Sequence, residues 1–382
     1  MPLLLVGSLA GQKMEGCFQI NWYHNCFVVP GLSYDPISDT VWVAIYEGLF
    51  RRIQRYSRSG RPIAEFPIPR HPLSINNEAD PSGMDCDRRR GTLWLADWGG
   101  QVIYEVGPDG LLTNRGFRTP ASHRPVGIAL DPETDSCYSL DWMTQHVAQY
   151  RMDGLSLRSF SYQQSGMVTP RELAYDKLTR TLWLTERDGK GNARLFQIDL
   201  TGQKLGVWNL TQLLNLPYVT LGPDLDTRTG RVFVVRHVGR PAVCEISGIL
   251  PACGQGAITP YGAGCPDSSN TLVPTVTCTD CPTVGRELVI GHQGSSATSG
   301  AAIYVLGTQR TPMNLAGLGA PKCDLLVLPV ILEPATITNG RGAFALPIPD
   351  VAALKGGKFD VQALVFEASW LSATGGLELI LQ

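Results

Sequence analysis

Val126-Gly-Ile-Ala-Leu-Asp131-Pro-Glu-Thr-Asp-Ser136-Cys-Tyr138-Ser-Leu-Asp-Trp142 is the stretch on which the reading of this chain turns. An apolar run ends in Asp131, a polar turn follows, and Tyr138 stands seven residues after the aspartate inside a second apolar run. The arrangement recurs five times. Asp35, Asp87, Asp131, Asp176 and Asp226 each precede an aromatic by seven residues (Trp42, Trp94, Tyr138, Trp183 and Phe233), and the aspartates are 52, 44, 45 and 50 residues apart. Self-similarity at such a period marks an architecture of stacked, near-identical supersecondary units.

Each unit contains four short strands. In the third copy 126–131 is the first, 137–142 the second, 146–151 the third, and 155–160 the fourth after the turn Met152-Asp-Gly154. Gly60, Gly110, Gly154, Gly202 and Gly248 occupy the corresponding last turns, where a hairpin requires positive φ. Four antiparallel strands in roughly 40–50 residues is the arithmetic of a β-propeller blade. The second strands, such as Val41-Trp-Val-Ala-Ile45 and Thr92-Leu-Trp-Leu-Ala96, are continuously apolar. A strand wetted on one face would alternate, so neighbouring blades must cover both. Residues 17–22 (Cys17-Phe-Gln-Ile-Asn-Trp22) look like an outer strand without a blade, and the fifth repeat is weak after Gly248. The expectation is that 17–22 complete the fifth blade and close the ring, removing exposed edges.

Near residue 255 the repeat stops. Gly254, Gly256, Gly262 and Gly264 with Pro260 and Pro266 read as a linker. Further strand candidates follow at 287–290, 301–306, 325–332, 343–348, 361–366 and 377–381, without an anchor aspartate, as in a β-sandwich. The chain is therefore read as all-β: an N-terminal apolar segment (1–16), a five-bladed β-propeller (17–255) and a C-terminal β-sandwich (262–382). Its 382 residues are long enough for two domains.

The net charge of −2 and a charged fraction of 17% argue against a nucleic-acid surface. Arg51, Arg52, Arg55, Arg58 and Arg61 cluster in the first blade and read as a solvated outer strand. No apolar run reaches the ~18–20 residues that span a bilayer. The ten cysteines suit disulfides in an oxidising, extracellular setting. Short spacing suggests Cys17 with Cys26, Cys244 with Cys253, and Cys278 with Cys281, while Cys86 and Cys137 stay unassigned. Cys278-Thr-Asp-Cys281 has no second pair and no nearby histidine to complete a zinc site.

The first region resembles the broad class of NHL-type, YVTN-type and gluconolactonase-like propellers, through the pattern of an apolar-Asp pair followed by Leu-Trp-Leu-Ala-Asp97. The second region resembles a C-terminal module of large secreted planctomycete-type bacterial proteins. Gly262-Ala-Gly-Cys265-Pro, Tyr304-Val-Leu-Gly307, Leu318-Gly-Ala-Pro-Lys-Cys323-Asp-Leu325 and Asn339-Gly-Arg-Gly-Ala343 carry that resemblance. It implies export, a bridge between Cys265 and Cys323, and no known chemistry.

Ten residues after the anchors stand Ile45, Asp97, Asp141, Glu186 and Arg236. A ring of Asp97, Asp141 and Glu186 is the candidate oxygen site for a divalent cation, as the gluconolactonase-like resemblance implies. That family's Asn ligand has no counterpart here, and an Asp closing a strand commonly caps the next turn. The anchor aspartates begin turns, and Arg88-Arg-Arg90 replaces the neighbouring acids in one copy, so they are read as turn-makers. No nucleophile elbow, phosphate loop or metalloprotease helix is present, and six histidines are scattered singly. The expectation is a non-enzymatic protein with no catalytic, cofactor or metal residues.

Residues 2–10 are left over. Leu3, Leu4, Leu5, Val6 and Leu9 form an apolar stretch with no basic segment before it, so a signal remnant cleaved after Ala10 is the weaker reading. An apolar strand outside a closed ring is expected to add to a sheet of the next copy, and a head-to-tail contact that does not close makes a filament. The expected function is a secreted structural or adhesive subunit whose partners are other copies of itself. The rival readings are a metal-dependent lactonase-like hydrolase using the channel, and a monomeric cell-surface propeller that binds a ligand.

Overall fold

The computed structural model describes residues 12–382 apart from 22–26, 48–49, 77–78, 121–122, 142, 189–191, 215–218, 237–239, 255, 268–269, 297 and 368–369. The N-terminal apolar segment, Trp22, His24, Cys26, Trp142 and His237 thus lie outside the described residues.

Five four-stranded antiparallel sheets account for the repeats. β1 (Lys13–Gln19) precedes them. The first sheet is β2 (Phe27–Asp35), β3 (Thr40–Glu47), β4 (Phe50–Ser57) and β5 (Pro62–Pro67). The second is β6 (Pro81–Asp87), β7 (Thr92–Asp97), β8 (Val102–Val106) and β9 (Leu112–Arg118). β10 (Gly127–Asp131), β11 (Ser136–Asp141), β12 (His146–Arg151) and β13 (Ser156–Ser161) form the third. β14 (Pro170–Asp176), β15 (Thr181–Arg187), β16 (Ala193–Ile198) and β17 (Lys204–Asn209) form the fourth. The fifth is β18 (Val219–Asp226), β19 (Arg231–Arg236) and β20 (Ala242–Ser247), with β1 as its fourth strand. The first strands β2, β6, β10, β14 and β18 touch in cyclic order, and β18 returns to β2. The arrangement is propeller-like.

β1 begins at Lys13, four residues earlier than the expected 17–22, and pairs antiparallel with β20. Cys17 lies directly opposite Cys244 and is bonded to it. Two expected pairs are therefore corrected: Cys17 does not bond Cys26, and Cys244 does not bond Cys253. Strand register brings together residues 227 apart, which outweighs proximity in sequence. Arg58 reinforces the closure between first and fifth sheets, 3.1 Å from Asp226 and also bonded to Glu245. Its neighbours are not a solvated strand as expected. Arg52 meets Glu47 at 2.8 Å, and Arg55 stacks 4.8 Å over Trp42.

Each anchor aspartate holds the turn after the first strand. Asp35 accepts from the Ile37 N–H and the Ser38 hydroxyl, Asp131 from Glu133 N–H and Thr134, and Asp176 from Leu178 N–H and Thr179. Asp87 receives only the backbone N–H groups of Arg89 and Arg90, because those arginines displace the hydroxyl residue. The second strands are buried almost throughout.

Four residues before the anchors the chain places Gly31, Gly83, Gly127, Glu172 and Gly222, so at this level four of the five sheets present no side chain to the axis. A Cβ on Gly83 would lie 2.5 Å from Gly127 Cα and 2.8 Å from a Glu172 oxygen. One side chain, Glu172, lies against Gly83 and Gly127.

The remaining strands are β21 (Ile258–Tyr261), β22 (Thr275–Cys278), β23 (Glu287–Gln293), β24 (Ser299–Gly307), β25 (Arg310–Leu315), β26 (Ala320–Val327), β27 (Ile331–Thr338), β28 (Gly342–Pro347), β29 (Lys358–Glu367), β30 (Trp370–Ala373) and β31 (Gly376–Ile380). One sheet runs β21-β31-β29-β24-β27 with β30 on β29; another is β22-β23-β28; β25 and β26 form a hairpin. The first two sheets share an apolar core containing Leu288, Ile290, Tyr304, Val361, Val365 and Leu379. Residues 258–261, assigned to the linker, belong to this unit through pairing with β31. The expected strand 325–332 is two strands, divided around Pro329, whose missing N–H suits a strand break.

Cys265 is bonded to Cys323, the bridge that the module resemblance implies. The expected Cys278–Cys281 bond is corrected. Cys281 pairs with Cys253 instead, tying the chain's exit from the ring to the C-terminal unit, while Cys278 is a buried free thiol in the core. Cys86 and Cys137 are likewise buried free thiols.

The glycine level supplies a test. Gly83→Ala forces backbone against backbone at the axis and should cost about 1–3 kcal/mol or more. Gly16, with nothing within 4 Å of a Cβ, should accept Ala within about 0.5 kcal/mol. Urea unfolding of the two variants measures the contrast.

Candidate functional site

The polar residues of the ring divide between its two ends and its centre. Asp97, Asp141 and Glu186 close the second strands at the end opposite the anchors, and each serves its own turn. Asp97 accepts from Gly100 N–H at 2.7 Å. Asp141 accepts from the N–H groups of Met143 and Thr144 at 2.8 and 3.2 Å, and of Arg124 at 3.0 Å. Glu186 accepts from Thr169 N–H at 2.9 Å and from Arg194 at 2.5 Å. Among the described residues no group of three or more His, Cys, Asp or Glu side chains is placed to hold a metal ion. Burial pushes the Asp97 carboxyl up to about 6. His123 and His292 are buried, held down at about 4 by desolvation, and hydrogen-bonded to Ser139 and Tyr304 respectively.

The centre holds a cluster that the anchor spacing alone does not reveal. Two residues before the anchors stand Ser33, Asp85, Ala129, Ala174 and Asp224. The Ser33 hydroxyl lies 2.9 Å from Asp224 and 3.2 Å from Asp85. Asp85 also accepts from the N–H groups of Cys86 and Leu130, both at 2.7 Å. Asp224 accepts from Leu225 N–H at 2.6 Å and from Tyr34 N–H. One Glu172 oxygen accepts from Ile128 N–H at 3.3 Å, and its second oxygen has no partner. Burial, then the neighbouring Asp224, pushes the Asp85 carboxyl up to about 7. Burial also lifts Glu172 well above the usual carboxylate range, and lifts Asp224 against the opposing Arg88. Aligning the five repeats at these two offsets is the sequence signal that would have found the cluster.

The anchor end meets the C-terminal unit. Arg88 reaches from the second sheet to Asp224 and to Asp280, 3.6 Å from each. Asp280 also meets Lys177 at 2.7 Å, Thr227 at 2.7 Å and Thr279 at 2.5 Å. These contacts, Lys177 first, hold its fully buried carboxyl far below the ordinary range against the cost of burial. Arg341 bonds Asp35 and the Arg88 carbonyl, Arg89 bonds Glu287, and Arg228 reaches Thr277 at 2.7 Å. Between the two surfaces lies a cleft of about 150 Å³, lined among others by Asp85, Arg88, Arg115, Tyr175, Lys177 and Asp280. Its cations already face carboxylates: Arg88 and Lys177 face Asp280, Arg89 faces Glu287, and Arg115 faces Glu105 at 3.3 Å. The arrangement neutralises itself, and it fastens two units more evidently than it presents a charge to a ligand.

No protein-family model and no curated protein matches the chain. Among solved structures it is similar to a luciferin-regenerating enzyme at 13% identity, over 66% of this chain and 98% of that one, with a TM-score of 0.39. It is similar to a putative 6-phosphogluconolactonase from Bacteroides uniformis at 11% identity, over 83% and 90%, with a TM-score of 0.34. It also resembles hydrazine synthase of Kuenenia stuttgartiensis at 12% identity, over 91% and 80%, with a TM-score of 0.33. These likenesses are distant and no activity is taken from them. No helix among the described residues is long and apolar enough to cross a membrane.

Two outcomes follow from this geometry. Asp85 and Glu172 hold protons more tightly folded than unfolded, so their contribution to stability is complete below about pH 4 and is lost as pH rises, for Asp85 through about 7 and for Glu172 through its own raised value. The melting midpoint should therefore fall by roughly 5–10 °C between pH 5 and pH 8. Glu172→Gln, a neutral stand-in for the protonated acid, should make that fall shallower; an unchanged slope would assign it elsewhere. Second, Asp280→Ala leaves Lys177 buried without its carboxylate and Arg88 with Asp224 alone. It should cost about 3–5 kcal/mol, read by urea unfolding. Limited proteolysis should then cut between units that Cys253–Cys281 still joins.

Proposed function

We propose that this chain is a non-enzymatic, exported structural or adhesive building block. In this reading it is a five-bladed β-propeller bearing a C-terminal β-sandwich, joined to other copies of itself into an extracellular filament by addition of its N-terminal apolar strand. One observation carries the non-enzymatic part. The centre of the ring is occupied by Glu172, Asp85, Asp224 and Ser33, bonded to one another's strands, and the anchor end is bridged by the Asp280–Lys177–Arg88 network. A channel filled and capped in this way supports a scaffold better than a substrate passage. The three disulfides are compatible with an oxidising compartment.

A ligand-binding propeller is the second reading, favoured by the 150 Å³ cleft at the junction. Electron microscopy and light scattering of the concentrated protein separate the two. The filament reading expects extended polymers from the full chain and folded monomers after removal of residues 1–11. That deletion spares β1, which begins at Lys13. A full-length protein that stays monomeric would overturn the filament. A metal-dependent hydrolase activity lost in Asp141→Asn would overturn the non-enzymatic assignment in favour of the lactonase-like reading.

A further inference from the structure

β27 is a sheet edge of unusual composition. It pairs with β24 on one side, and among the described residues its other side pairs with no strand. Natural edges are blunted by charge, proline or cover, because their open N–H and C=O groups accept any passing strand. From Glu333 and Pro334 onward β27 follows that rule. Its first two residues and the approach to them do not. Val330, Ile331 and Leu332 are 68%, 46% and 57% exposed, and Leu328 just before them is 39% exposed. Successive side chains in a strand point to opposite faces. Since both Ile331 and Leu332 are bare, the sheet is uncovered on both faces at this edge.

A strand able to cover such an edge must be apolar at consecutive positions, not at alternate ones. Within this chain Leu3-Leu4-Leu5-Val6 has that character: four large apolar residues in succession, with no charged side chain from residue 2 to residue 12. Its four residues are enough to cover the unguarded stretch Val330–Leu332, which Glu333 and Pro334 end. We infer that the unguarded edge at Val330–Leu332 is the acceptor for residues 3–6 of a second copy, which adds there as a further strand. This rests on the strand-addition reading proposed above and names its receiving surface. Burial of apolar side chains supplies the affinity and the open backbone supplies the direction.

The test mixes two proteins, one carrying only Val6→Cys and the other only Leu332→Cys, under mild oxidation. A covalent dimer on an unreduced gel is the expected result. In parallel, Ile331→Lys and Leu332→Lys should reduce polymer at least tenfold while leaving melting unchanged, since both side chains are exposed. Leu318→Lys, equally exposed at 67% on the β25–β26 connection, should polymerise normally. If the β27 variants polymerise like the parent while removal of residues 1–11 abolishes polymers, the acceptor lies elsewhere and strand addition stands. If the cross-link forms only when both cysteines sit in one chain, the segment docks on its own sheet and the second copy is ruled out. A parent protein that never polymerises overturns both the acceptor and the filament.

Discussion

Space at the axis is the constraint on which the rest of the structure depends. Five first strands converge there, and a Cβ on Gly83 or Gly127 would meet the neighbouring backbone at 2.5 or 3.1 Å. Glycine at four of the five positions is the packing consequence, and one long side chain, Glu172, lies against Gly83 and Gly127. That choice places a carboxyl in a fully buried site beside Asp85 and Asp224. A buried carboxyl without a cation is stable only when protonated or when surrounded by N–H donors. Both solutions operate here: backbone N–H groups of Ile128, Leu130, Cys86 and Leu225 face the acids, and burial raises their proton affinity. The crowding that sets the glycines thus also sets the electrostatics of the centre.

The same economy governs the junction between the ring and the C-terminal unit. Ion pairs taken out of water lose hydration, and only good geometry with further hydrogen bonds offsets that loss. Asp280 has both: two cations and two hydroxyls surround it. Its cost without them is what makes the docking specific. Arg341 plays the reciprocal part, entering the ring's first anchor turn at Asp35. Charges on the turns of the ring are therefore an interface, and the covalent tie Cys253–Cys281 keeps it at high local concentration.

The anchor-to-aromatic spacing, the hairpin glycines and the continuous apolar second strands determined the consecutive strands of the five sheets and their order, because those depend on contacts within about 50 residues; only β1, on the fifth sheet, comes from far away in sequence. The role of the anchor aspartates was legible for the same reason, since an Asp that bonds the N–H two residues on acts locally. Cysteine pairing was not. Cys17 meets Cys244, and Cys253 meets Cys281, only after the fifth sheet has come round beside the first and the C-terminal unit has docked. Nor was the role of the arginines, whose partners Glu245, Asp226 and Glu287 lie in other sheets. The central cluster stands between these cases. Ser33, Asp85, Glu172 and Asp224 occupy fixed offsets from the anchors and so are written in the repeat. Only closure of the ring decided that they meet, because a side chain on a first strand faces the axis, and its neighbours there come from strands up to 191 residues away.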